Sequence, residues 1–251
     1  MICKYPESFA RFYDTIYHQL RDSVDSGYFL NEIKNIKGRV LEIGVGTGRL
    51  FQGALNNGAD IYGIDVSESM IDVLYKKLPE EQHYRISCQN IIDFSLDMKF
   101  DLVVAPFRVL MHLEKKEDQL KAFNNVCRHL NTNGRFIFDV FVPDLNQIIK
   151  GLDNKMDFEG EYAPGKKLRR FVSTVPDLIN QTIEVSFTME WEDNGGLQHD
   201  YWKLPMRFFF RFELEHLVER SQFAEYDIFG DYSGSRLQKD SKEFVVVCRK
   251  K

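Results

Sequence analysis

Three alternating glycines, Gly44, Gly46 and Gly48, follow the acidic residue Glu42 in the run Arg39-Val-Leu-Glu-Ile-Gly-Val-Gly-Thr-Gly-Arg49. A second acid, Asp65, closes the run Ile61-Tyr-Gly-Ile-Asp65. Side chains at the glycine positions would keep a ligand off the backbone, and some of these positions need positive φ. A carboxylate at the end of the next strand can accept hydrogen bonds from both hydroxyls of a ribose. These residues therefore point to a nucleotide. Chemistry of another kind is offered by Phe107-Arg-Val-Leu-Met-His-Leu113. An imidazole of near-neutral pKa at His112 could take a proton from an incoming amine or hydroxyl. The alternative is that His112 caps or packs beneath the following helix. Arg108 could bind an acidic substrate group, or stay solvated at the rim.

The surrounding pattern supplies elements to position them. Val40, Leu41 and Ile43 read as a buried strand, and Leu50, Ala54 and Leu55 resume at helical spacing after the glycines. After Asp65, Ser67 is a suitable N-cap, Glu68 complements the helix dipole, and Met70, Ile71, Leu74 and Leu78 form a buried stripe. His83–Ser87 reads as a third strand, followed by Asn90 and Ile91. Phe100–Ala105 reads as a fourth, with the unbroken apolar run of a central parallel strand. The active site of an open α/β sheet lies outside the carboxyl ends of its strands, which puts Ala105, Pro106, Phe107 and Arg108 at its mouth. A helix over Leu120–Leu130 and a strand over Arg135–Val140 flank the turn Asn133-Gly134.

The glycine spacing discriminates between nucleotides. A dinucleotide fingerprint is G-x-G-x-x-G, but Arg49 stands where the third glycine would fall and the spacing here is G-x-G-x-G. With Glu42 ahead of it, this pattern resembles motif I of the class I S-adenosylmethionine-dependent methyltransferases of small-molecule type, similar to sugar N-methyltransferases and glycine N-methyltransferase-like relatives. That cofactor has no phosphates, so an acidic residue beside the loop carries no repulsion. The resemblance covers residues ~9–145 and ~208–250. It implies an α/β fold, a Rossmann-like seven-stranded methyltransferase sheet with helices on both faces, ending in a hairpin whose final strand is antiparallel. The segment Phe12-Tyr-Asp-Thr-Ile-Tyr17 is similar to the Y-D-x-x-Y stretch that caps the cofactor in such enzymes. Tyr13 and Tyr17 would then face sulfonium and acceptor, with Tyr13 and His112 as catalytic candidates. A plain amphipathic helix carrying Phe9, Phe12, Ile16 and Leu20 is the other reading. The resemblance assigns cofactor binding to Tyr17, Glu42, Gly44, Gly46, Gly48, Asp65, Val66, Asn90, Ile91 and Ala105, with Val66 against the adenine. Asn90 departs from the family's usual Asp, although its amide oxygen can still accept a hydrogen bond.

From about Gly151 the period changes. Ile183, Val185, Phe187, Met189 and Trp191 alternate with polar residues as in a half-exposed antiparallel strand. Asp193-Asn-Gly-Gly196 is a hairpin turn, the returning strand carries Tyr201, Met206, Phe208 and Phe210, and Lys167–Thr174 supplies a third strand. The expected organisation is a cofactor-binding core with an N-terminal helical cap over 1–150, an antiparallel β insertion after the fifth strand over 151–212, and a C-terminal helix with the last two strands over 213–251. By resemblance, the insertion is an acceptor lid or a homodimer interface. Arg169, Arg170 and Arg207 would either touch an anionic acceptor or be ordinary exposed strand charges.

The net charge of −5 argues against a nucleic-acid partner. No apolar run is long enough to span a bilayer, and the first residues lack a signal-peptide core. The four cysteines, Cys3, Cys88, Cys127 and Cys248, show neither metal nor disulfide spacing, as expected of a cytoplasmic protein without a metal. The expected activity is in-line methyl transfer from S-adenosylmethionine to a small-molecule amine or hydroxyl. A protein methyltransferase, a non-catalytic S-adenosylmethionine binder and a disfavoured nicotinamide-dependent dehydrogenase are the alternatives.

Overall fold

The structure is a computed structural model describing residues 5–20, 24–193 and 195–251. Two N-terminal helices, α1 (Glu7–Leu20) and α2 (Val24–Lys34), precede β1 (Val40–Ile43), α3 (Phe51–Asn56), β2 (Ile61–Asp65), α4 (Glu68–Tyr75) and β3 (Ile86–Cys88). Then come β4 (Phe100–Ala105), α5 (Lys116–His129), β5 (Leu130–Phe141) and α6 (Leu145–Lys150). A run of strands follows, β6 (Leu152–Ala163), β7 (Lys166–Asp177), β8 (Thr182–Asp193) and β9 (Gly196–Arg207). The chain closes with α7 (Arg211–Glu219), β10 (Glu225–Phe229) and β11 (Glu243–Arg249).

Seven strands form one sheet in the order β10-β11-β5-β4-β1-β2-β3, and β6 to β9 form a separate antiparallel sheet in chain order. In the large sheet β11 is antiparallel to both β5 and β10, while β3, β2, β1, β4 and β5 are mutually parallel. Strand periodicity divides the core into two layers. Leu41, Ile43, Val103, Ala105, Phe136 and Phe138 pack with α5 on one face. Val40, Leu102, Val104, Ile137 and Val245 pack with α2, α3 and α4 on the other. Burial on both faces is why these strands are continuous apolar runs rather than alternating ones.

A third apolar cluster joins the two sheets through α1. Phe9, Phe12 and Ile16 of α1 pack on Phe158, Leu168, Met189, Trp202 and Leu204 of the second sheet, and Met70 of α4 joins the cluster. Polar contacts fix the helix on both sides. The Thr47 hydroxyl donates to Asp14 at 2.7 Å, and Lys77 bridges Asp14 and the Thr47 carbonyl. On the other side Arg170, buried and doubly bonded to Asp157, reaches the Tyr17 hydroxyl at 3.3 Å.

Several elements differ from the sequence reading. The expected amphipathic helix is α1, Glu7–Leu20, and a second helix not expected from the sequence, α2, spans Val24–Lys34. Most of the expected third strand is a 3₁₀ turn, Glu80–Arg85, and only Ile86–Cys88 pairs. His83 there stacks on Tyr75 at 4.2 Å and contacts the Tyr75 carbonyl, local bonds that compete with a ladder. The second sheet has four strands rather than three. β6 escaped detection although Met156, Phe158 and Tyr162 alternate with Asp157, Glu159 and Glu161: it is an edge strand whose apolar side is interrupted by Gly160 and in which Phe158 alone is fully buried. The returning strand ends at Arg207; Phe208 and Phe209 turn into the core, and Phe210 stands at the N-cap of α7. Asp193 pairs with Gly196 at the hairpin tip; Asn194 of that turn, like Cys3, lies outside the described residues. Among the described residues no helix is long and apolar enough to cross a membrane.

Asp14→Ala should release α1 from the glycine loop. It removes a charge-assisted bond and leaves the buried Thr47 hydroxyl unpaired, so urea unfolding should show a loss of about 1–3 kcal/mol. Asp14→Asn, which keeps an acceptor for Thr47, should lose less.

Candidate active site

At the carboxyl ends of β1, β2 and β4, the parallel strands leave a cavity of about 370 Å³. One wall is the glycine loop. Gly44, Gly46 and Gly48 have φ of +72, +54 and +85°, a region that costs other residues strain. A Cβ on Gly44 would stand 2.4 Å from Val109 Cγ2, so glycine is required there on both counts. Four of the loop amides are engaged within the protein: Gly44 and Val45 donate to the Ile64 carbonyl, Gly48 to Val45, and Gly46 to Asp65. The amides of all three glycines are thus already used.

Asp65 organises this end. Its Oδ2 accepts from the Gly46 N–H at 2.8 Å and its Oδ1 from the Ser67 N–H at 2.9 Å. Ser67 then caps α4 through the Met70 N–H. Burial pushes the Asp65 pKa up, against the lowering effect of the Ser67, Gly46 and Val66 amides. Glu42, 1% exposed on β1, has an Oε2 with no hydrogen-bond partner among the described residues. Burial and the neighbouring Asp65 carboxylate push its pKa well up, with Arg49 opposing.

Across the cavity stand Tyr5, Tyr13 and His112. The Tyr5 hydroxyl lies 3.3 Å from His112 Nε2, and its ring stacks on Phe9 at 4.5 Å. Tyr13 packs on Tyr17 at 4.4 Å. His112 Nδ1 is buried without a partner among the described residues. Contrary to the near-neutral value expected, burial pushes its pKa down to about 4. His112 is therefore an unprotonated but weak base at neutral pH.

Of the residues singled out in the sequence, Tyr13, Gly44, Gly46, Asp65, Val66, Asn90, Ile91 and His112 line this one cavity. Asn90 Oδ1 already accepts the Ile92 N–H at 3.0 Å. Tyr17, Glu42, Gly48, Ala105 and Arg108 do not line it. Tyr17 is turned to Arg170, Glu42 lies behind the loop, and Ala105 is buried in β4 with Pro106 taking its place at the wall. Arg108 is paired with Glu243 at 2.7 Å. Arg169, Arg170 and Arg207 are likewise engaged, with Glu159, Asp157 and Glu213. The sequence reading missed Tyr5, Gln89, Glu114, Lys115 and Asp118. Only the folding-back of the N-terminus and the crossing of the post-β4 segment bring them in, although the closeness of Gln89 to Asn90 was a usable signal.

The lining carboxylates Asp65, Glu114 and Asp118 outnumber the single ammonium of Lys115 among the described residues. Such a lining repels a pyrophosphate and suits a cation. The glycine cradle, the ribose-competent Asp65 and the acidic lining fit S-adenosylmethionine.

Known proteins agree. A methyltransferase-domain family model matches residues 41–136. An uncharacterized methyltransferase of Bacillus cereus is 30% identical over 193 residues, spanning 76% of this chain and 79% of that protein. The chain belongs to the class I S-adenosylmethionine-dependent methyltransferase family. The methyltransferase spans less of the first curated relatives it matches, 42% and 65% of the length of two of them. Its fold is that of an S-adenosylmethionine-dependent methyltransferase from Clostridium acetobutylicum, with a TM-score of 0.78 at 20% identity over 97% of this chain and 98% of that one. The sugar N-methyltransferase KedS8 from a Streptoalloteichus species gives 0.76 at 16% identity over 95% and 93%.

The depressed pKa of His112 has a stability consequence. Unfolded, an imidazole binds protons below about 6.5, whereas folded His112 does so only below about 4. The unfolded state therefore binds more protons in that window, and the methyltransferase loses stability as pH falls through it. His112→Gln should remove this loss, gaining relative to wild type by about 2 kcal/mol at pH 5 and little at pH 7.5, as read by urea unfolding at each pH.

Proposed function

We propose that this methyltransferase moves a methyl group from S-adenosylmethionine to the nitrogen of a small-molecule amine. The observation that carries the reading is the single cavity in which the glycine loop and Asp65 face Tyr5, Tyr13 and His112. S-adenosylmethionine, when bound, supplies a methyl group already activated for displacement by its sulfonium. The chain's residues have to hold it and align the acceptor, which sheds a proton. The Asp65 oxygens keep lone pairs for ribose hydroxyls, and Val66, Asn90 and Ile91 would border the adenine.

The proton step favours an amine. A neutral His112 with a pKa near 4 is too weak to ionise an aliphatic hydroxyl. A free amine attacks through its own lone pair, and the methylated ammonium it becomes can carry its proton out to solvent. The acidic lining would also draw a cationic amine toward the cavity, where it gives up one proton to solvent before its freed lone pair attacks. KedS8, of the same fold, is a sugar N-methyltransferase, which supports the reading. Mild overall acidity supports a metabolite rather than a nucleic acid as acceptor.

Calorimetry should show S-adenosylmethionine binding and none of NAD. Asp65→Ala should weaken it about tenfold or more, the cost of charged hydrogen bonds. A panel of small amines and alcohols, scored by release of S-adenosylhomocysteine, should give turnover with amines. Turnover with alcohols alone would overturn the nitrogen assignment. Binding without any turnover would favour a non-catalytic binder.

A further inference from the structure

We propose that Asp139 is a positioning residue for this centre: from β5 it holds the turn Phe107–Arg108 in a left-handed conformation and so sets the cavity wall beside the glycine loop. The inference rests on the reading of that cavity as the S-adenosylmethionine site. Phe107 and Arg108 follow each other at φ of 61 and 68°. Two consecutive residues with side chains in this region are crowded against their own carbonyls, and such a pair persists only where its surroundings over-determine it.

The surroundings do so from two sides. Asp139, with no exposed surface, accepts the Arg108 N–H on Oδ1 at 3.4 Å and the Tyr232 hydroxyl on Oδ2 at 3.0 Å. Arg108 also pairs with Glu243 at the start of β11. These contacts tie the turn to the last hairpin of the sheet. Toward the cavity, the Phe107 ring lies 3.8 Å beneath the Arg49 guanidinium, and Arg49 is bonded to Asp25 of α2 at 2.8 Å. Val109, just past the turn, fills the space that Gly44 leaves. The turn is thus keyed to the glycine loop at two points, and Pro106, Phe107, Val109 and His112 all line the cavity. Asp139 itself does not line it. A buried carboxylate with an anchoring amide and a locking tyrosine is what remains to explain why the turn stays left-handed without glycine.

Glycine supplies the test, since it adopts the left-handed region with no anchor. The full chain is titrated calorimetrically with S-adenosylmethionine as wild type, Asp139→Ala, and Asp139→Ala combined with Arg108→Gly, and thermal midpoints are recorded alongside. Asp139→Ala, which leaves the Arg108 N–H without its acceptor, should weaken binding about tenfold or more, as misplaced site walls do, and the added glycine should restore most of it. Should Asp139→Ala fail to fold, Tyr232→Phe, which removes only the lock, should show a loss of about threefold. Wild-type affinity in Asp139→Ala with only its midpoint lowered, or a double variant binding no better than the single, overturns the proposal. A wild-type protein that binds no S-adenosylmethionine overturns the cofactor reading and the proposal with it.

Discussion

The structure depends on one bidentate arrangement, in which the Asp65 carboxylate receives the Gly46 N–H on one oxygen and the Ser67 N–H on the other. With it, the loop after β1 and the start of α4 are one rigid unit at the strand ends. Because the amides of Gly44, Gly46 and Gly48 are taken by Ile64, Asp65 and Val45, the glycines themselves serve close approach rather than anion binding. The same residue pattern with free amides would suit a phosphate.

Electrostatics follow from that choice. Glu42 and Asp65 are neighbouring carboxylates whose charged forms burial disfavours, and a bound cation would relieve both. Arg49 only partly compensates Glu42, since it is shared with Asp25 and the Phe107 ring. Carboxylates whose charged forms burial disfavours gain from a positive ligand beside them. His112 is kept neutral by its own burial.

The first helix links everything else. Its apolar face belongs to a cluster with the second sheet, Asp14 fastens it to the glycine loop through Thr47 and Lys77, and Tyr17 reaches Arg170. The four-stranded sheet thereby governs where Tyr5 and Tyr13 stand without contributing lining residues of its own. The cavity is closed by a helix whose position is set from both sheets.

The glycine spacing, Asp65 and the apolar strands were legible in the sequence, because each is a local demand: positive φ, a ribose-competent carboxylate, burial on both sheet faces. Those demands, with the family resemblance they carry, established the α/β class and the cofactor and pointed to part of the cavity's lining. β6 was overlooked, since its alternation of Met156, Phe158 and Tyr162 with acidic residues is short, broken by Gly160 and set in an exposed edge strand. The pairing of Arg108 with Glu243, the meeting of Tyr5 with His112 and the anchoring of Phe107–Arg108 by Asp139 join residues 135, 107 and 31 positions apart. Local propensity carries no information about such separations. Only the packing of the sheet's last hairpin and of the N-terminal segment onto the strand ends decided them, and with them the burial that makes His112 a neutral, weak base.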